Sequence, residues 1–287
     1  MKEASVPAWV GNYPFPASKK QPVIMTREKS ILFIYGKGAN KVSCTTAIST
    51  NRIQSGIMII NPGGFFEPPD IHSGDEIYYI LEGQIAILDP ATGQTITAEK
   101  GEMARIPKGV WHQSFNTGDE NLEVLAFIAP LQWQEGDAQI PSEFTGKSAY
   151  YQGTAETMPK PITPQEKAAA LSTIRPQEAC HAIHGVTNHY LVSFFVSNDR
   201  IHVGTFMLPM SIRGDLESHR GDEILYVEKG CIAVEIYGPD HATEATVNDV
   251  FEVHDKQCLL IPEKMKHRYL NLSSHSTKVI FGIAPTL

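Results

Sequence analysis

Along most of the chain, apolar residues come in short runs of four to eight, rich in Ile, Val, Tyr and Phe and separated by Gly, Pro, Asn and Asp. Such runs predict β-strands, because branched and aromatic side chains pack well on a pleated surface. The stretch IYYILEGQIAILDPATGQTITAEKGEMARIP is typical, and its DPATG predicts a hairpin turn. Many such strands in a unit of about 100 residues predict a sandwich or small barrel. One helix is predicted, over 163–174 (TPQEKAAALSTI), with Thr163 as N-cap, Pro164 at the first helical position and Glu166 completing a capping box.

The pattern repeats. DIHSGDEIYYILEG at 70–83 returns as ESHRGDEILYVEKG at 217–230, an offset of 147, with nine of the fifteen positions from His72 to Ala86 identical. Upstream, NRIQSGIMII (51–60) matches DRIHVGTFML (199–208) at an offset of 148. Downstream, IPKGVWHQSFN (106–116) matches IPEKMKHRYLN (261–271) at 155. The difference between 147 and 155 requires eight inserted residues within YGPDHATEATVNDVFEVHDKQ, a polar run best placed in a surface hairpin. A period this long predicts two copies of one domain: 1–145, a linker over 146–185 carrying the helix, and 186–287.

Composition narrows the partners. The net charge is −8 with no run of Lys or Arg that could follow a phosphate backbone, so no nucleic acid is expected. No segment approaches the roughly 18 apolar residues that cross a bilayer, and the N-terminus lacks a signal-peptide core; a cytoplasmic protein without membrane contact is expected. Cys44, Cys180, Cys231 and Cys258 form no CxxC pair, which predicts thiols rather than a zinc knuckle or a disulfide framework.

The candidate chemistry lies in the repeated stretch. Asp70 and His72 are two apart, so on an extended strand their side chains leave one face. Glu76 opens the next strand after the SGD turn, and His112 returns after the turn-forming GEMARIPKG. In a closed barrel these four groups converge, and two imidazoles with two carboxylates suit a divalent first-row metal. Tyr78 shares strand parity with Glu76 and points inward toward the same site. Arg105 reads as an outward charge. His181, His184, His189, His202 and His254 have no motif spacing and receive no role.

These residues resemble the motifs of the cupins, and the whole chain resembles a bicupin. Gly64, Asp70, His72, Glu76 and Gly83 keep the spacing of the first cupin motif, with Asp in place of its first His; Gly101, Pro107, Gly109, His112 and Asn116 keep the second. In the later copy Glu217, His219, Glu223 and Gly230, then Pro262, His267 and Asn271, match, while Lys256 and Lys264 replace two glycines. The resemblance covers about 45–130 and 190–285. It implies an all-β chain of two tandem cupin barrels (jelly-roll, double-stranded β-helix). Each would hold one divalent ion, Fe, Mn or Zn, with Ni or Co as alternatives. The ligands would be Asp70, His72, Glu76 and His112 in the first barrel, and Glu217, His219, Glu223 and His267 in the second, with Glu76 and Tyr78 as catalytic residues. The implied activity is a dioxygenase-type oxidoreductase acting on a small oxygen-rich molecule. A redox-neutral isomerase or lyase and a non-catalytic ligand-binding module are the alternatives, and a homo-oligomer, a dimer, is the expected assembly.

Overall fold

The structure, a computed structural model, describes residues 7–36, 40–67, 69–129, 170–238 and 247–285. These contain 20 strands and two single-turn 3-10 helices, so the all-β expectation is met.

The described residues within Met1–Val10, Ile31–Thr46 and Gln54–Arg175 form one compact unit; those within Gly11–Ser30, Ala47–Ile53 and Pro176–Leu287 form a second. One seven-stranded sheet runs in the spatial order β11 (Ser172–Ile174), β8 (Met103–Ile106), β5 (Asp75–Glu82), β10 (Leu122–Ala129), β4 (Gln54–Ile60), β3 (Val42–Ser49), β2 (Ile31–Tyr35). Its companion is the three-stranded β7 (Thr95–Glu99), β6 (Gln84–Leu88), β9 (Gln113–Asn116). The other seven-stranded sheet repeats this order with β1 (Val23–Met25), β18 (Cys258–Ile261), β15 (Asp222–Lys229), β20 (Thr277–Ala284), β14 (His202–Leu208), β13 (Tyr190–Ser197), β12 (Cys180–His184). Its companion is β17 (Val247–His254), β16 (Cys231–Tyr237), β19 (Lys266–Leu270).

Two short edge strands depart from sequence order. In the second unit β1, from near the N-terminus, pairs with β18, with Val23 opposite Leu260. In the first unit β11, from beyond β10, pairs with β8 at the matching place, with Ser172 opposite Arg105. Residues 172–184, which the sequence reading puts in the linker, therefore contain β11, a 3-10 turn and β12. The helix expected over 163–174 is corrected at its end, where Ser172–Ile174 is strand; residues 163–169 lie outside those described. Thr173 and Ile174 are β-branched, and the open edge of β8 offers them ladder hydrogen bonds that a helical turn cannot match.

Each unit has its own core. Ile80, Ile85, Ile87, Leu122 and Val124 are fully buried in the first, and Leu225, Ile232, Val234, Leu259 and Val279 in the second. Each such side chain stabilises its fold by about 1.5–3 kcal/mol. Asp89 closes the predicted DPATG turn: Oδ1 accepts from the amide of Ala91 (2.8 Å) and Oδ2 from the Thr92 hydroxyl (2.7 Å). The inserted residues lengthen the corresponding hairpin of the second unit, where β16 and β17 have seven and eight residues against five and five in β6 and β7. Residues 239–246, between those two strands, lie outside the described residues.

Candidate metal centres in the two barrels

In the first unit, backbone pairing brings the two motifs together. Asp70 and His112 form an isolated bridge (Asp70 N to His112 O 2.8 Å, His112 N to Asp70 O 2.9 Å), and the Gly109 amide donates to His72 O (2.9 Å). Asp75, fully buried, fixes the loop between them: Oδ1 accepts from the Lys108 amide (3.0 Å) and Oδ2 from Arg105 Nε (3.2 Å) and Nη2 (3.0 Å). Arg105, read from the sequence as an outward charge, is thus spent on a structural carboxylate.

Three donors then converge. Glu76 Oε2 lies 3.0 Å from His112 Nε2 and 3.3 Å from His72 Nε2, while Asp70 Oδ2 stands 3.5 Å from His72 Nε2. His72, Glu76 and His112 each offer an atom within 4.8 Å of the others. His112 Nδ1 faces Val110 O (3.2 Å), an arrangement that assigns its proton to Nδ1 and leaves the Nε2 lone pair toward Glu76. Glu76 Oε2 is buried and makes no hydrogen bond. Lone pairs crowded together without a shared proton are costly, and a cation is what relieves them. Donors ~2.1 Å from an ion and at right angles to one another sit ~3.0 Å apart, so the observed separations fit a first-row ion.

The surroundings set the charge states. Burial opposes ionisation of Glu76; with protons on His72 and His112 in place of a metal ion, their charge and hydrogen bonds outweigh it and hold the carboxyl well below the usual range. Burial, then Glu76 and Asp70, pushes the Tyr78 phenol far up, so it stays protonated. The same causes push the Cys44 thiol up to about 12. Tyr35 is raised by burial and by Asp70. Tyr78 meets the edge of the His112 ring, with centroids 6.5 Å apart.

The second unit repeats the scaffold and alters the contents. Glu217 and His267 bridge as Asp70 and His112 do, and Asp222 accepts the Glu263 amide (3.0 Å) as Asp75 accepts that of Lys108. Glu217, His219 and His267 offer donors within 4.8 Å of one another. Glu223 lies 3.3 Å from His267 Nε2 and 3.7 Å from His219 Nε2, yet both its oxygens accept from the Tyr269 hydroxyl (2.9 Å each). That hydroxyl also sits 2.9 Å from His267 Nε2. Burial foremost, then Glu217, raises the Glu223 carboxyl to about 8. Glu217 has further partners, its Oε2 2.8 Å from His184 Nε2 and its Oε1 3.4 Å from the Tyr190 hydroxyl.

All eight sequence-predicted ligands therefore gather in two clusters of four. The closest trios are His72, Glu76 and His112, and Glu217, His219 and His267; Asp70 and Glu223 flank them. The residues fit an ion better in the first barrel, where Glu76 Oε2 makes no hydrogen bond, than in the second, where the Tyr269 hydroxyl engages both Glu223 and His267. Sequence reasoning missed His184 and Tyr269. Carried upstream at 149, the repeat sets His184 against Tyr35; at 155 it sets Tyr269 against Ser114.

Among known proteins, the Cupin domain family matches residues 56–128. No curated protein sequence matches the chain. Solved structures do. Bacillus subtilis oxalate decarboxylase, one of whose structures concerns its Mn(II) centres, is 14% identical with a TM-score of 0.63, covering 93% of this chain and 78% of that one. AerE from Microcystis aeruginosa is 12% identical at 0.61, covering 90% and 98%, and protein Ylba from E. coli 13% identical at 0.60, covering 98% and 94%. At such identities the likeness is one of fold.

Proposed function

We propose, from the premise that the chain is a bicupin of the cupin superfamily, that it is a metal-dependent enzyme acting on a small, oxygen-rich carboxylic acid in its first barrel. The observation that carries this reading is Glu76 Oε2, buried without a hydrogen bond 3.0 Å and 3.3 Å from two imidazole nitrogens. His72, Glu76 and His112, with Asp70 beside them, would hold the ion, one in each barrel with Glu217, His219, Glu223 and His267 as the second set. Bound there, a divalent ion supplies Lewis acidity to a substrate oxygen.

The rest is done by the chain. Two carboxylates, Asp70 and Glu76, balance a divalent charge and suit the harder ions Mn²⁺ and Fe²⁺. Asp70, pinned by its own amide pairing with His112, is placed to hold or pass a proton beside His72. Tyr78, kept protonated, donates a hydrogen bond or a proton into the site from the side of His112. The buried side chain of Ile106, directly opposite Glu76 on β8, helps keep water away.

Redox-neutral cleavage or isomerisation of a short hydroxy or keto acid fits a site with both a proton acceptor and a protonated phenol, and the fold shared with oxalate decarboxylase supports it. A dioxygenase is the second reading, favoured by the doubly anionic donor set that suits Fe²⁺. Elemental analysis should find Mn or Fe in the purified protein and lose the first-barrel ion in Glu76→Gln. Tyr78→Phe should retain metal while turnover falls about 10²-fold or more. Turnover of short hydroxy and keto acids, oxalate among them, at full rate without oxygen identifies the lyase or isomerase; oxygen uptake on substrate addition identifies the dioxygenase. Protein that takes up none of Mn, Fe, Co, Ni or Zn refutes both.

A further inference from the structure

The long hairpin β16–β17 of the second unit carries a second kind of donor cluster, outside the barrel motifs. Cys231 stands directly opposite His254, and Ala233 opposite Glu252. Alternate residues share a face of a strand, so Cys231, Ala233, Glu252 and His254 lie on one side of the hairpin. Opposed Cβ atoms in such a ladder are ~4.5–5.5 Å apart, and the small Ala233 leaves the space among the other three open. Glu252 Oε1 lies 3.4 Å from His254 Nε2 and 3.7 Å from Cys231 Sγ, and the three donors are all within 4.8 Å of one another. Glu252 and His254 are exposed and Cys231 half-buried, so the cluster is open to ions from solvent.

The repeat supplies an internal control. The corresponding face of β6–β7 has Gln84 opposite Glu99 and Ala86 opposite Thr97, with neither a thiol nor an imidazole. The donor set thus belongs to the second hairpin alone, the one lengthened by the insertion.

We propose that Cys231, Glu252 and His254 form a third metal site, taking a borderline-soft divalent ion of the zinc class through Sγ, Oε1 and Nε2. Thiolate, imidazole and carboxylate are the donor types of tetrahedral zinc sites, and water completes the four. On binding, the Cys231 S–H bond breaks, its proton passes to solvent and a sulfur–metal bond forms; no electron is transferred. A thiolate and a carboxylate together neutralise the divalent charge, which makes the surface location inexpensive.

Cobalt reads this site apart from the barrel centres, because only a thiolate ligand gives a sulfur-to-cobalt charge-transfer band. Titrating the metal-stripped full-length protein with Co²⁺ should raise that band to saturation by three equivalents, one for this site and one for each barrel centre, and Zn²⁺ should abolish it. The band should be absent from Cys231→Ser, persist in Glu76→Gln, and need about tenfold more Co²⁺ in His254→Gln and Glu252→Gln. No band in the unaltered protein, a band surviving Cys231→Ser, or unchanged affinity in His254→Gln would each overturn the assignment. Glu252 and His254 are exposed and Cys231 only half-buried, and an unchanged unfolding temperature in the variants shows that they fold.

Discussion

Asn116 and Asn271 close the second motif in each copy without touching the donors. Asn116 Nδ2 donates to Ile60 O (2.9 Å) and Glu120 O (2.7 Å), and its Oδ1 accepts from the Gly118 amide (2.9 Å). Asn271 does the same with Leu208 O (3.0 Å), His275 O (2.8 Å) and the Ser273 amide (3.0 Å). Both are buried, so truncation strands carbonyls that water reaches poorly. Asn116→Ala and Asn271→Ala should each lose about 2–4 kcal/mol in denaturant unfolding while bound metal per chain stays constant. His112→Ala should show the opposite, with metal lost. A motif residue can thus be read correctly from spacing and still serve the backbone rather than the ion. His184 and Tyr269 escaped the sequence reading for a complementary reason. They occupy positions where the copies differ, Tyr35 and Ser114 in the first, so neither the family spacing nor self-similarity marks them.

At the level of elements, the lysines that replace motif glycines show what those glycines do. Gly101 and Gly109 have φ of +87° and +74°, and at Lys256 and Lys264 φ remains +63° and +62°. The turns keep their left-handed shape in both copies, so the second copy carries the strain of a Cβ there. A Cβ at Gly101 or Gly109 would meet nothing within 4 Å, which leaves backbone conformation as the reason for glycine. Lys256 and Lys264 are exposed, so their replacement loses no packing. Lys256→Gly and Lys264→Gly should each stabilise the protein by about 0.5–1 kcal/mol, the left-handed cost less the extra entropy of unfolded glycine, seen as a rise in the urea midpoint. Metal content should not change, because the Lys264 amide bond to His219 O is a backbone contact that glycine retains. The longer strands were legible because alternation and β-branching act along the whole run. The end of the 163–174 helix was not, because a capping box at Thr163 says nothing of the β8 edge that claims Ser172–Ile174.

For the whole molecule, the two copies were legible from the repeat, but their strand ownership was not. Strands of three residues, such as β1 and β11, carry almost no periodicity, and β1 finds its partner β18 at the other end of the sequence. Met25, on β1, is 3% exposed, and Leu171, next to β11, is 3% exposed in the first unit's core, with its amide on Gln94 Oε1 (2.8 Å). Each anchors a short strand whose own ladder is too small to hold it, so burial of that one side chain governs whether the edge stays closed. Truncating a buried Met or Leu costs about 2–5 kcal/mol. The two losses should be felt in crossed places. In hydrogen exchange followed by mass spectrometry, Met25→Ala should raise exchange in β18, more than 200 residues away in sequence, and leave β8 protected. Leu171→Ala should do the reverse. Exchange rising instead in β8 for Met25→Ala, with β18 unchanged, would refute the ownership of β1 by the second unit. The same logic bears on dissection. A fragment beginning at residue 186 lacks both β1 and β12, so it should melt well below the full chain, whereas adding residues 11–30 in trans should restore protection at β18 without touching β8.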